Sequence, residues 1–186
     1  MSIAKFAIVS AVAIALSACG ARPAARAQLT VNNHPISIAL YNSLVAAERQ
    51  KIERTGAPIS PTSVAGKHRQ TSIEASVIRE LVRDAVVEQL AAARGITISA
   101  DDLQTRLSAA EQALGGPLAF EQALEQAGLS RTDFGAILRY RLLEAQLTQT
   151  GAASSTRAID AAVGTARVVV TIGPCVHGVY PSCLAS

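Results

Sequence analysis

Two cysteines near the carboxyl terminus are the residues best placed for sulfur chemistry. Cys175 and Cys183 are eight residues apart, and His177 lies between them among turn-forming residues. Four arrangements fit this spacing: a disulfide that closes a small loop, a metal site, a Cys–His nucleophile pair, and free or intermolecular thiols. A metal site would have only three candidate ligands, and a nucleophile pair would have no orienting partner in the sequence. We therefore predict a disulfide, which is worth about 2 to 3 kcal/mol by loop entropy.

A third cysteine, Cys19, follows an uncharged apolar run and could be the nucleophile for a lipid. Met1 to Lys5 carries one positive charge. Phe6 to Ala18 is an uninterrupted run of apolar and small residues with no charge. Such a run rises about 20 Å as a helix, short of the roughly 30 Å hydrocarbon core, so it is typical of a signal peptide. Leu16-Ser17-Ala18-Cys19 looks like the lipobox that lipoprotein signal peptidase recognises. An ordinary secretory signal cut at an A-x-A site is the alternative.

We expect cleavage after residue 18 and acylation of Cys19, for example with palmitate, followed by a tether over residues 19–28. The mature chain would be lipid-anchored to the outer face of the cell membrane or to the outer membrane. It would face the periplasm or the cell exterior, where disulfides persist.

Three carboxylates, Asp101, Asp102 and Asp133, could in principle pair for acid–base chemistry. All three fall where a first helical turn is expected, and Asp102 and Asp133 each follow a serine by three residues, so we interpret them as helix caps that complement the dipole. No phosphate-binding loop, zinc-binding helix or catalytic triad motif occurs in the sequence. We predict no catalytic residue, no metal site and no cofactor.

The composition predicts a mostly α protein. Hydrophobic residues make up 49% of the chain but aromatic residues only 3%, so the core is built from Ala, Leu, Val and Ile, which favours packed helices. The chain is long enough for one domain after the signal is removed. Its formal net charge of +3 is close to balance, and we expect no nucleic-acid partner.

Helix caps and apolar periodicity predict five helices, and a polar turn between two short apolar runs before them indicates a small hairpin or an extended lead-in. The hairpin turns at Asn32-Asn33-His34, within residues 29–37. The helices are expected over about residues 38–54, 70–94, 99–114, 117–127 and 130–145. Residues 55–69 contain several Gly and Pro residues and are predicted to form an exposed loop.

The last segment, residues 150–186, is predicted to be a linker, a terminal strand and a cysteine loop. Gly151 to Gly164 indicates a linker or a weak helix, and Arg167 to Ile172 is a β-branched run that favours a strand. A lone strand cannot persist, so we expect it to pair with Leu29 to Val31.

Residues 29–149 resemble, in order and in content, the amino-terminal domain of the SurA and PrsA type of extracytoplasmic folding factors. The opening Val31-Asn32-Asn33-His34-Pro35-Ile36 is similar to the family's valine, asparagine, glycine, any residue, proline, isoleucine. The resemblance continues through residues 94–102, through Gly115-Gly116 before Phe120, and through residues 127–130 before Phe134. Asn33 replaces the usual glycine, but asparagine tolerates a left-handed conformation, so the hairpin is expected to form.

The resemblance implies a helical chaperone module that holds unfolded or secreted polypeptides in an apolar crevice. The aromatic residues that could line this crevice, although such residues more often form the core, are Tyr41, Phe120, Phe134 and Tyr140. In the family this module often precedes parvulin isomerase domains, for which the residues after Thr150 are too few. The alternatives are a prolyl isomerase or its accessory subunit, and a structural lipoprotein that docks one dedicated partner. Clients and oligomeric state stay open.

Overall fold

The computed structural model describes residues 27–56, 58–149 and 152–185, and it confirms a mostly α protein. Cys19 and the predicted signal peptide lie outside the described residues. The helices are α1 Ile38–Thr55, α2 Val64–Ala93, α3 Ala100–Ala113, α4 Pro117–Ala127, α5 Arg131–Gln149 and α6 Ala152–Thr165. The strands are β1 Leu29–Val31, β2 His34–Pro35 and β3 Val168–Val170, and two 3-10 turns follow at Gly173–Cys175 and Ser182–Leu184.

The predicted hairpin and its terminal partner strand are both confirmed. β1 and β2 pair antiparallel across Asn32 and Asn33, whose φ angles of 52° and 67° are those of a two-residue hairpin turn. β3 pairs antiparallel with the other edge of β1, so the strand order is β2-β1-β3. Leu29 and Val31 point from the central strand into the core and are buried. β3 therefore completes the sheet that β1 and β2 begin.

The second helix begins earlier than the sequence indicated. The loop prediction is wrong for residues 64–69, because α2 starts at Val64, after a cap in which the Ser63 hydroxyl accepts from the backbone N–H of Gly66. Most side chains of this first stretch are exposed, so no apolar stripe marks the helix. The remaining loop is pinned to α1: the Arg49 guanidinium donates to the carbonyl oxygen of Ile59, which is buried.

A sixth helix occupies the segment that the sequence indicated as a linker or weak helix. α6 packs on α2 and α5, and it buries Ile159. The buried Ser155 hydroxyl donates to the carbonyl oxygen of Leu147 at 2.8 Å, which ties α6 to the end of α5. The helix is built largely from Ala and other small residues, so its apolar stripe is narrow.

Three apolar clusters hold these elements together. The largest joins the sheet, α1, α2 and the two 3-10 turns, and a second joins α2, α5 and α6. The third is small and joins α3, α4 and α5 around Phe120. Every buried residue of the three clusters lies between Leu29 and Leu184, so a chain that starts at Ala21 retains all the core residues that the structure describes.

No helix among the described residues is both long enough and apolar enough to cross a bilayer.

Candidate functional site

A surface groove runs between α1 and α2 and ends against α4. Two cavities of about 240 and 310 Å³ adjoin at Glu48 and Ser76, which line both of them, and we call the pair the α1–α2 groove. Its apolar lining residues are Leu44, Ala47, Ile52, Ile73, Val77, Ala127 and Leu129.

Small side chains create this groove. Ser72 and Ser76 lie one turn apart on α2, and they line the groove together with Ala47 of α1. The end of α4 closes in on α1 at Gly128, whose φ is +71°. A Cβ at this glycine would lie 2.5 Å from Oε1 of Gln50 and 3.3 Å from the Cα of Ala47, so only glycine allows the close approach.

The groove combines an apolar floor with a charged rim. Lys51 donates to Glu48 at 3.1 Å on the rim, and the floor residues Ile73 and Val77 are buried members of the α2 apolar stripe. The lining runs from His68 to Glu80 along α2, about 18 Å at the rise of an α-helix. That length corresponds to about five residues of an extended chain. The groove thus has an apolar floor between charged side chains over this length.

A second groove of about 300 Å³ lies beside the hairpin. Ile36, Leu40, Ala85 and Tyr140 are among its lining residues. The hairpin that forms one wall is fixed to α2 by Gln89, whose side-chain amide donates to the carbonyl oxygen of Val31 and accepts from the side chain of Asn32. This groove therefore has a rigid wall.

The four aromatic residues predicted as crevice lining lie in different parts of the molecule. Phe120 is fully buried and meets Phe134 edge to face, with ring centroids 5.4 Å apart. Tyr41 is buried in the largest cluster, where burial and then the charge of Glu74 raise its pKa to about 12. Tyr140 borders the second groove. The structure brings Phe120 and Phe134 together, and it places none of the four in the lining of the α1–α2 groove.

An ionic ladder joins α2 to α5 around a buried carboxyl group. Arg83 donates to Glu144 at 2.8 Å, and Arg141 donates to Glu80 at 2.7 Å. Asp84 lies beside this ladder and is buried. Burial raises the pKa of Asp84 to about 7, and the nearby carboxylates Glu80 and Glu144 also raise it, whereas the two arginines lower it. Sequence reasoning did not single out Asp84.

Asp84→Asn is expected to raise the melting temperature at pH 8 and to leave it nearly unchanged at pH 4. Because the pKa of Asp84 is about 7 in the folded protein and ordinarily 3.8, the folded state holds the proton more tightly than the unfolded chain. The resulting stabilisation is complete below about pH 4 and is lost as the pH rises through 7. The difference in unfolding free energy at pH 8 is up to about 4 kcal/mol. Thermal unfolding by circular dichroism across this range checks the prediction, with the exposed Asp101→Asn as the control; an equal shift at both pH values would contradict it.

The remaining predicted site residues are placed as follows. Cys175 and Cys183 lie at disulfide-bonding distance, with Cα atoms 5.1 Å apart, and His177 is exposed in the loop between them. The described residues contain no group of three or more His, Cys, Asp or Glu side chains that could hold a metal ion. The capping interpretation is confirmed for Asp102 and Asp133, since the hydroxyls of Ser99 and Ser130 donate to these carboxylates and accept from their backbone N–H groups.

Comparison with known proteins finds one family. A sequence model described as SurA-like N-terminal domain matches residues 2–148. No curated protein and no solved structure matches the chain. The matched range includes α1, α2 and α4, which together form the α1–α2 groove.

Proposed function

The chain belongs to the SurA-like N-terminal domain family, and on this basis we propose that it is an extracytoplasmic chaperone module that holds unfolded or secreted polypeptides. The α1–α2 groove is the observation that carries the proposal. In this proposal the module binds its clients without chemistry on them, and exposed apolar side chains of a client occupy the groove until the client folds or is passed on.

The groove has the properties that such binding requires. Its floor offers apolar contact, which is not directional and therefore accepts many side-chain sequences. The small Ser72 and Ser76 allow a client backbone to approach α2 closely, and their hydroxyls can bond to it. The mixed charges of the rim, Lys51 beside Glu48, favour neither an acidic nor a basic client at that point. Broad selectivity with modest affinity follows.

The test is suppression of aggregation of a reduced, unfolded client by the chain from Ala21 onward, with a proline-limited refolding assay on the same sample. We expect protection without faster proline isomerisation. Faster isomerisation would indicate a prolyl isomerase instead. Absence of both effects would overturn the proposal and favour a lipoprotein that docks one dedicated partner.

Ser76→Arg should weaken the protection, because Ser76 is exposed at the point where both halves of the groove meet. A long charged side chain there would fill the groove without touching the buried core. The concentration needed for half-protection is expected to rise on the order of tenfold, equivalent to about 1.4 kcal/mol of binding free energy. Ala109→Arg, which adds the same side chain to an exposed position of α3, is the matched control and should act as the unmodified chain does.

We also propose that the chain is exported, carries lipid on Cys19 and contains a Cys175–Cys183 disulfide. The support is the apolar run ending at Cys19, the family match, and the distance between the two carboxyl-terminal cysteines. Mass spectrometry of the membrane-extracted chain, before and after reduction, tests these points. An unmodified Cys19 would contradict the anchor, and an unchanged mass on reduction would contradict the disulfide.

A further inference from the structure

The end of the molecule where α1 stops and α2 starts is strongly basic. Residues 49–69 contain the basic Arg49, Lys51, Arg54, Lys67 and Arg69 and only one acidic residue, a net charge of +4, whereas the whole chain carries +3. The rest of the molecule is therefore slightly negative.

These charges are not explained by the stability of the fold. Arg49 is paired with Glu53 at 3.0 Å, but no ion pair in the described residues involves Arg54, Lys67 or Arg69. The first turn of α2 has no acidic residue. Cations in the first turn of a helix oppose its dipole, so Lys67 is placed where it helps the helix least.

The basic residues surround the end of α2 and do not line one side of a cleft. Lys67 lines a depression together with the exposed Val64, whereas Arg69 lines the α1–α2 groove on a different side of the helix. Val64 is 73% exposed and is among the most exposed large apolar residues of the described chain. Basic side chains on several sides of a helix end, with an exposed apolar residue among them, fit a flat anionic partner better than they fit a single acidic peptide.

The direction of β1 shows on which side of the molecule the described chain begins. Val31 lies beside Gln89 of α2, while Gly173, which follows the strand paired with β1, lies against Glu74. β1 therefore runs in the same direction as α2, and the chain that precedes it comes from the side where α2 starts. Cys19 is nine residues before Gln28, a reach of at most about 30 Å. The start of α2 is about 20 Å from that point along the helix axis, so a lipid on Cys19 can share a plane with it.

We propose that Lys51, Arg54, Val64, Lys67, His68 and Arg69, which we call the basic end, dock on the anionic lipid headgroups of the membrane that carries the chain. The basic residues supply electrostatic attraction, and Val64 enters the interfacial layer. The docked domain stands with α2 directed away from the bilayer, and the α1–α2 groove opens beside the membrane surface. The inference rests on the proposed lipid anchor, and Lys51, Arg54, His68 and Arg69 of the basic end also border the α1–α2 groove. Vesicle binding is measured without a client, so its failure is distinguishable from a failure of client protection.

Vesicle binding by the chain from Ala21 onward, which has no acyl group, tests the docking directly. Co-sedimentation is measured with vesicles of phosphatidylcholine alone and with added phosphatidylglycerol. We expect binding only when phosphatidylglycerol is present, and a steep decrease as salt is added. Each basic residue near an anionic surface contributes roughly fivefold in partition, so Lys67→Glu with Arg69→Glu should lower binding on the order of a hundredfold or more.

The matched control is Arg94→Glu with Arg106→Glu, which gives the same net charge on exposed residues outside the basic end. This control should bind much as the unchanged chain does, and an equal loss in both double variants would overturn the proposal. Binding to vesicles of phosphatidylcholine alone would also overturn the proposal. If the Lys67 and Arg69 variant kept vesicle binding, the proposal would be overturned, and a loss of client protection in the same variant would assign Arg69 to client binding in the α1–α2 groove.

A dye attached at Val64→Cys reports insertion independently of the charge changes. Its emission should shift to the blue on addition of anionic vesicles. The same dye at Leu118→Cys, a position 74% exposed on α4, should not respond. Equal responses at the two positions would contradict the proposed orientation.

Discussion

A chain that ends at Thr165 is expected not to fold. The removed segment contains β3 and contributes Val170, Ile172, Cys175 and Leu184 to the largest apolar cluster. Each buried apolar side chain is worth about 1.5 to 3 kcal/mol, so the loss approaches the 5 to 15 kcal/mol by which domains are usually stable. Leu29 and Val31 would also lose their strand partner. Circular dichroism and a thermal scan should show no cooperative transition.

Two neighbouring residues of β3 provide the matched control for this prediction. Val170 is 6% exposed and Val169 is 37% exposed, so Val170→Asp places a charge in the core and Val169→Asp places it toward solvent. Val170→Asp should reproduce much of the truncation's effect, and Val169→Asp should have little effect. A truncated chain that still melts cooperatively would show that the carboxyl-terminal segment is an appendage of the helical domain.

The sheet could be predicted from the sequence because its residue types favour turn and strand conformations over helix. Asn32 and Asn33 are among the few residue types that adopt positive φ, and the run Val168-Val169-Val170 is β-branched throughout. Because a lone strand is not stable, β3 needed a partner, and β1 was the available strand. Short-range chemistry and one topological argument were enough here, although the strands are more than 130 residues apart in the chain.

Two helical segments were harder to predict, the start of α2 because its side chains are exposed and α6 because its residues are mostly small. The Ser63 cap was present in the sequence, but the exposed residues after it give no periodic signal. In α6 the burial depends on Ile159, with small residues around it, so tertiary packing decides the helix more than its own pattern does.

The α1–α2 groove could not be predicted, because it depends on small side chains and not on conspicuous ones. A search for aromatic residues pointed to Phe120, which is core, whereas Ala47, Ser72 and Ser76 leave the open space. For Asp84, in contrast, the sequence contains a pattern that could have identified it. It falls three residues after Leu81, within the buried stripe of α2, where a carboxylate is unusual and its pKa is expected to rise.

Phe120→Ala should destabilise the α3–α4 region by about 3 to 5 kcal/mol. Phe120 is fully buried and is the largest side chain of the small third cluster, where it also meets the ring of Phe134. The Arg131 guanidinium lies 5.0 Å from its ring centroid and bonds to Glu111 and Glu121, so it links all three helices. Removing the ring leaves a cavity that these polar groups cannot fill.

The effect should appear first as local opening, because this cluster shares no buried residue with the two larger ones and meets the second only through the partly buried Leu103. Hydrogen exchange should accelerate in α3 and α4 well before α2 is affected, and urea unfolding should give a lower midpoint. Leu118→Ala, two residues away on the same helix but 74% exposed, should change the unfolding free energy by less than about 0.5 kcal/mol. Since Ala127 and Leu129 close the α1–α2 groove, client protection should fall with Phe120→Ala and persist with Leu118→Ala. Unchanged exchange in α3 and α4 would show that the third cluster does not hold these helices.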